Sequence, residues 1–98
     1  MAVDATFLAK TKLELGVSYN NLDSKISDLI EEAILDLTAT ADIKSFTTST
    51  ADQLQQGAVI LYVKWRWYGD DKYLTNYNDI KQKMALSGTY RSVVIDEE

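Results

Sequence analysis

The 98-residue sequence contains no cysteine, no histidine and no proline. Without cysteine no disulfide can form, which fits a cytosolic protein or an assembly built in a cytosol. Without histidine the commonest general base and the commonest metal ligand are both missing. Without proline nothing interrupts a long helix from within. The four glycines are scattered, so no glycine-rich phosphate loop can be read. Positive charge is scarce: ten Lys and Arg stand against fifteen Asp and Glu, a net −5. That balance is poorly suited to non-specific nucleic-acid binding, which depends on neutralising phosphates. It does suit a channel past which DNA slides without being held. No apolar run reaches the roughly 18 residues of a membrane span. The opening MAVDATFLAK has no basic start followed by an apolar run, so it does not read as a signal peptide.

What is present is helical patterning. Leu54 to Tyr68, LQQGAVILYVKWRWY, is the longest nearly apolar stretch and holds both tryptophans. Leu54, Ala58, Leu61, Trp65 and Tyr68 recur at helical spacing, and the run is too long for an ordinary strand. Thr50 and Gln53 fit a capping box at its start, Asp52 adds negative charge to the first turn, and Gly69 suits its end. Gly57 inside it costs about 1 kcal/mol relative to alanine and marks a place of close backbone approach. Val59, Ile60, Val63 and Trp67 lie off the first stripe, and Trp65 and Trp67 point about 160° apart. One face cannot bury both. Either this helix is central in its own bundle, or one face packs inside and the other meets a partner subunit.

The rest of the chain supplies three more helices. Asp4 caps a first helix over about Ala5 to Leu15, with Ala5, Leu8, Ala9 and Leu13 as its apolar set and Gly16 as its stop. Asp23 or Ser24 caps a second, to about Thr40, on which Ile26, Leu29, Ile30, Ala33, Ile34 and Leu37 form a clean stripe. Ile43 and Phe46 pin the Thr/Ser-rich connection that follows. Asp70 or Asp71 caps a fourth helix, about Lys72 to Leu86, carrying Tyr73, Tyr77, Ile80 and Met84, with Gly88 as its C′ residue. The expected fold is all-α: a small bundle of about four helices around a central apolar helix, in a domain spanning 1–88. Residues 89–98 form a tail or arm with an apolar patch at Val93, Val94 and Ile95, read either as a partly ordered end or as an arm docking on a neighbour.

Catalytic signals are weak. Glu31, Glu32 and Asp36 are the best carboxylate cluster, but no His or Cys can complete a metal site, and they read as a solvated face. Asp70 and Asp71 read as a helix cap. Serines and threonines have no histidine base beside them. The sequence therefore points away from an enzyme and implies no metal or cofactor.

Four pieces, taken in order, resemble the small head–tail connector proteins of long-tailed bacteriophages: FLAKTKLELGV, LDSKISDLIEEAILDLTA, LQQGAVILYVKWRWYGD and ALSGTYR. The resemblance covers about Phe7 to Arg91. It implies an all-α subunit that assembles with copies of itself into a ring, twelvefold in the virion. Such a ring sits beneath the portal protein, extends the DNA channel, and offers a surface to a stopper or tail-side protein. The implied location is the virion head–tail interface, with assembly in the host cytoplasm. Residues expected at a subunit or partner interface, chosen from expected exposure, are Arg66, Trp67, Tyr90, Val93, Val94 and Ile95. The competing expectation is a small cytosolic adaptor whose apolar groove takes a partner peptide or helix.

Overall fold

The computed structural model describes residues 3–40, 43–44 and 46–87, the side chain of Thr40 excepted. They form a bundle of four helices: α1 (Ala5–Leu15), α2 (Asp23–Thr40), α3 (Gln53–Tyr68) and α4 (Asp71–Leu86). α3 is central, packing against α4, α2 and α1. The all-α expectation is met, and so are the helix positions to within a residue or so.

Each boundary has a local cause. Asp4 has extended backbone, and its side chain accepts from the Phe7 N–H, satisfying one of the free donors of the first turn of α1. Gly16 (φ 72°) and Gly69 (φ 74°) end α1 and α3 in the left-handed region, where a Cβ would be strained. Asp70 caps α4 by accepting from the Lys72 N–H. At the start of α3 the capping box is built from other residues than Thr50 and Gln53. Asp52 accepts from the Gln55 N–H at 2.9 Å, and Gln55 Oε1 accepts from the Asp52 N–H at 3.0 Å. Thr50 is instead engaged in the preceding turn, where its hydroxyl oxygen accepts from the Thr47 N–H at 3.0 Å. With Asp52 as its cap, the helix starts at Gln53.

The buried core follows α2 as its sequence pattern predicts. Ile26, Leu29, Ile30, Ala33, Ile34 and Leu37 are all buried, and Leu35 is 58% exposed. Burying side chains of this size contributes roughly 1.5–3 kcal/mol each before entropy is counted. Ile43 and Phe46 are buried and tie the α2–α3 connection to the core. On α4, Tyr77 and Met84 are buried, while Leu74 and Ile80 pack partly against the core. Gly88 and the tail expectation lie outside the described residues.

Two helices turn a different face inward than the apolar pattern suggests. α1 buries Phe7, Thr11 and Leu15, and leaves Leu13 80% exposed and Ala5 and Ala9 at the surface. Thr11 can be buried because its hydroxyl donates to the Phe7 carbonyl at 2.9 Å, so no polar atom is stranded. α3 buries Gln55, Ala58, Val59, Ile60 and Val63. Of the stripe Leu54, Ala58, Leu61, Trp65 and Tyr68, only Ala58 is fully buried. Both faces of α3 are apolar, so hydrophobicity alone could not choose between them. Of the remaining stripe, Leu54 and Tyr68 are exposed, while Leu61 and Trp65 are half-buried.

Candidate interaction surface

Among the described residues, no group of three or more His, Cys, Asp or Glu side chains could hold a metal ion. No described helix is long and apolar enough to cross a membrane. Two features of the bundle surface bear on function: a polar cluster joining α2, α3 and α4, and an open groove between α1 and α3.

The polar feature joins α2, α3 and α4. Glu32 and Asp36 share one face of α2, four residues apart. Tyr77 donates its hydroxyl to Asp36 Oδ2, and Lys81 donates to the same oxygen at 3.0 Å. Tyr62 donates to Glu32 Oε1 at 3.1 Å, and Arg66 forms an ion pair with that oxygen. The Tyr62 and Tyr77 rings meet edge to face, 5.3 Å between centroids. Burial pushes the Tyr77 hydroxyl well above its ordinary pKa, and the hydrogen bond to Asp36 and the negative charge of that carboxylate push the same way. Tyr62 is also raised, by burial first, with Glu32 adding to it against Arg66. Arg66 is raised through its contacts with Tyr62 and Glu32. A tyrosine held protonated is a donor and a strut, not a base. Of the carboxylates read as a solvated face, Glu32 is exposed, yet Glu32 and Asp36 are also tied to α3 and α4. The sequence carried the i, i+4 spacing of Glu32 and Asp36, but not their partners 30 to 45 residues away.

The second feature is an open groove of about 420 Å³ between α1 and α3, with Gln53 at its edge. Gly57, Ile60 and Leu61 of α3 line it together with Lys10 and Glu14 of α1 and Lys64. Lys64 bonds to Glu14 at 3.1 Å across it, and Lys10 donates to Gln56 at 2.7 Å beside it. Tyr68 also joins the two helices, donating to the Leu15 carbonyl at 3.0 Å.

Comparison with protein families, curated proteins and solved structures found no match. The surface has to be read from its own chemistry.

Among the expected interface residues, Arg66 is exposed and paired with Glu32, their side chains 41% and 45% accessible. Trp67 is half-buried against the core, with the Lys25 ammonium 5.3 Å from its ring centroid. Trp65, on the opposite side of α3, is half-buried too and meets Tyr62 edge to face at 5.6 Å. Tyr90, Val93, Val94 and Ile95 lie outside the described residues. The groove itself was not legible, because its lining is shared between α1 and α3, and of the Leu54–Tyr68 stripe only Leu61 belongs to it.

Proposed function

We propose that this chain is a structural subunit of the head–tail connector of a tailed bacteriophage. It assembles as a ring beneath the portal, extends the DNA channel and offers a docking surface to a stopper or tail-side protein. The supporting observation is the order of the four resembling pieces. The first three each fall on one of α1, α2 and α3, and the fourth begins on the last turn of α4. A ring needs a heterologous interface that closes by rotation, with two different surfaces on each subunit. The exposed Arg66 side of α3, next to Trp67, is one candidate surface. The net charge of −5 suits a channel that passes DNA without binding it.

The test is the solution mass by light scattering after size exclusion, across a wide concentration range, with and without a phage portal. A discrete species of about a dozen copies, alone or on the portal, is the expected result for a closed ring. A chain that stays monomeric and ignores portals would remove the connector reading.

A second reading is favoured by the α1–α3 groove: a cytosolic adaptor that lays a partner helix or peptide along Gly57, Ile60 and Leu61. It predicts one-to-one binding by a monomer or dimer. Same-sized complexes in the scattering experiment would support it.

A further inference from the structure

α1 turns a threonine inward and a leucine outward. Thr11 is buried between Phe7 and Leu15, while Leu13 is 80% exposed and Ala5 and Ala9 are at the surface. Residues 5, 9 and 13 are four apart, so they form one ridge along the helix. One exposed leucine is ordinary on a protein surface. An apolar ridge on a helix that has a second face for its own core is a different matter, and α2 carries a counterpart. There Leu35 is 58% exposed, and Ala39 is exposed one turn further on.

The two ridges differ in the charge beside them. On α2, Asp28 lies about 20° and Glu31 about 40° around the helix from Leu35. Neither carboxylate forms an ion pair among the described residues. On α1, Lys10 is exposed, and its one bond is to the neutral amide of Gln56, so no carboxylate among the described residues neutralises it. An apolar ridge beside a positive charge thus stands on one helix, and an apolar ridge beside two negative charges on the other. The two cannot meet within one subunit. Lys12, next to Leu13, pairs with Asp23 at 2.8 Å, whereas Leu35 lies about 18 Å beyond Asp23 along α2.

We propose that the α1 ridge of one copy packs on the α2 ridge of the next, with Leu13 beside Leu35 and the two helices parallel. Charge sets the direction. In the parallel alignment Lys10 meets Glu31, each about one turn before its leucine, and Thr6 comes near Asp28. The antiparallel alignment would set Lys10 beside Thr38 and Ala39 and leave both carboxylates unanswered. The contact joins two different surfaces, so it is heterologous, and a pair of copies still offers one free ridge of each kind. The inference rests on the ring reading for closure and gives that ring its two surfaces. The contact itself can be tested between two copies, where closure plays no part.

The test uses full-length chain carrying Leu13→Glu or Leu35→Glu, each at an exposed position, so that helical content is kept. Light scattering is expected to show the concentration for half-assembly raised at least about tenfold in either variant alone. Mixed one to one, the intact α2 ridge of the first variant meets the intact α1 ridge of the second. The expected product is a species of two copies that grows no further. Single variants that assemble as the parent does would overturn the contact and leave the ring to other surfaces. A mixture that stays monomeric up to about 1 mM, where even weak contacts register, would overturn it as well. Two-copy species from a parent that never closes would keep the contact and remove the ring. Glu31→Lys is expected to weaken assembly about three- to fivefold, and Lys10→Glu added to it to restore the loss. No recovery in that double variant would overturn the parallel alignment.

Discussion

Tyr77 of α4 meets two other helices, α2 through its hydroxyl and α3 through its ring. Its ring is buried against Tyr62, and its O–H reaches Asp36, which also receives Lys81. Ionising it would place a phenolate in a buried site against a carboxylate, so its folded pKa lies above the unfolded value of about 10. The sign of the linkage follows. A group whose pKa is raised by folding contributes stability that is fully present below the unfolded value. That stability is lost as pH climbs from there towards the folded value. Tyr62, facing Glu32 and Arg66, shifts in the same direction. Stability from urea unfolding is therefore expected to hold up to about pH 9.5 and then fall. The limiting slope is about 1.4 kcal/mol per pH unit for each such tyrosine. Tyr77→Phe keeps the ring and removes the hydroxyl. It is expected to cost about 1 kcal/mol at neutral pH and to flatten the alkaline fall. An alkaline slope identical to that of the parent chain would mean that Tyr77 is not the group responsible.

At the scale of elements, the caps and the faces can be tested separately. Asp52→Ala removes the side-chain half of the α3 capping box and is expected to lower stability by about 1 kcal/mol. Ile30→Ala, at a fully buried position of α2, is expected to cost about 2–5 kcal/mol. Leu35→Ala, on the exposed side of the same helix, is expected to stay within about 0.5 kcal/mol. Denaturant midpoints at constant slope measure all three. The same helices differ in how far the order of their amino acids reveals their place in the bundle. α2 has one apolar face and a charged opposite one, so periodicity determined both its existence and its orientation. α3 has two apolar faces, so periodicity determined that it is a helix but not which face is inside. α1 misled because a threonine whose hydroxyl is satisfied by its own helix can replace an apolar residue in the core. The capping box of α3 slid by two residues because Thr50, Asp52, Gln53 and Gln55 offer overlapping cap-and-box pairs. The choice was made by the Thr47–Thr50 turn. The interaction surface was less legible than the fold because its pairings are non-local. Interactions such as Asp36 with Tyr77 and Lys81 join positions more than 40 residues apart, and nothing local announces them.

For the whole molecule, the question is whether its outer surfaces meet other copies. Arg66 and Trp67 are adjacent in sequence but do different jobs in the subunit, and this separates assembly from folding. The Arg66–Glu32 pair is exposed, and exposed pairs contribute only about 0–1 kcal/mol. Arg66→Ala should therefore leave thermal stability nearly unchanged. If Arg66 lies in a subunit contact, the same change should move the assembly midpoint to higher concentration, about tenfold for each 1.4 kcal/mol lost per contact. Trp67 packs partly against the core beneath Lys25. Trp67→Ala should lower the melting temperature whether or not a ring forms, so weakened assembly in that variant alone would say little about an interface. The informative pattern is Arg66→Ala with an unchanged melting temperature and a displaced mass distribution. An unchanged mass distribution at every concentration, with the portal present, would remove Arg66 from the interface. The search for the second ring surface would then move to the exposed side of α2 around Leu35.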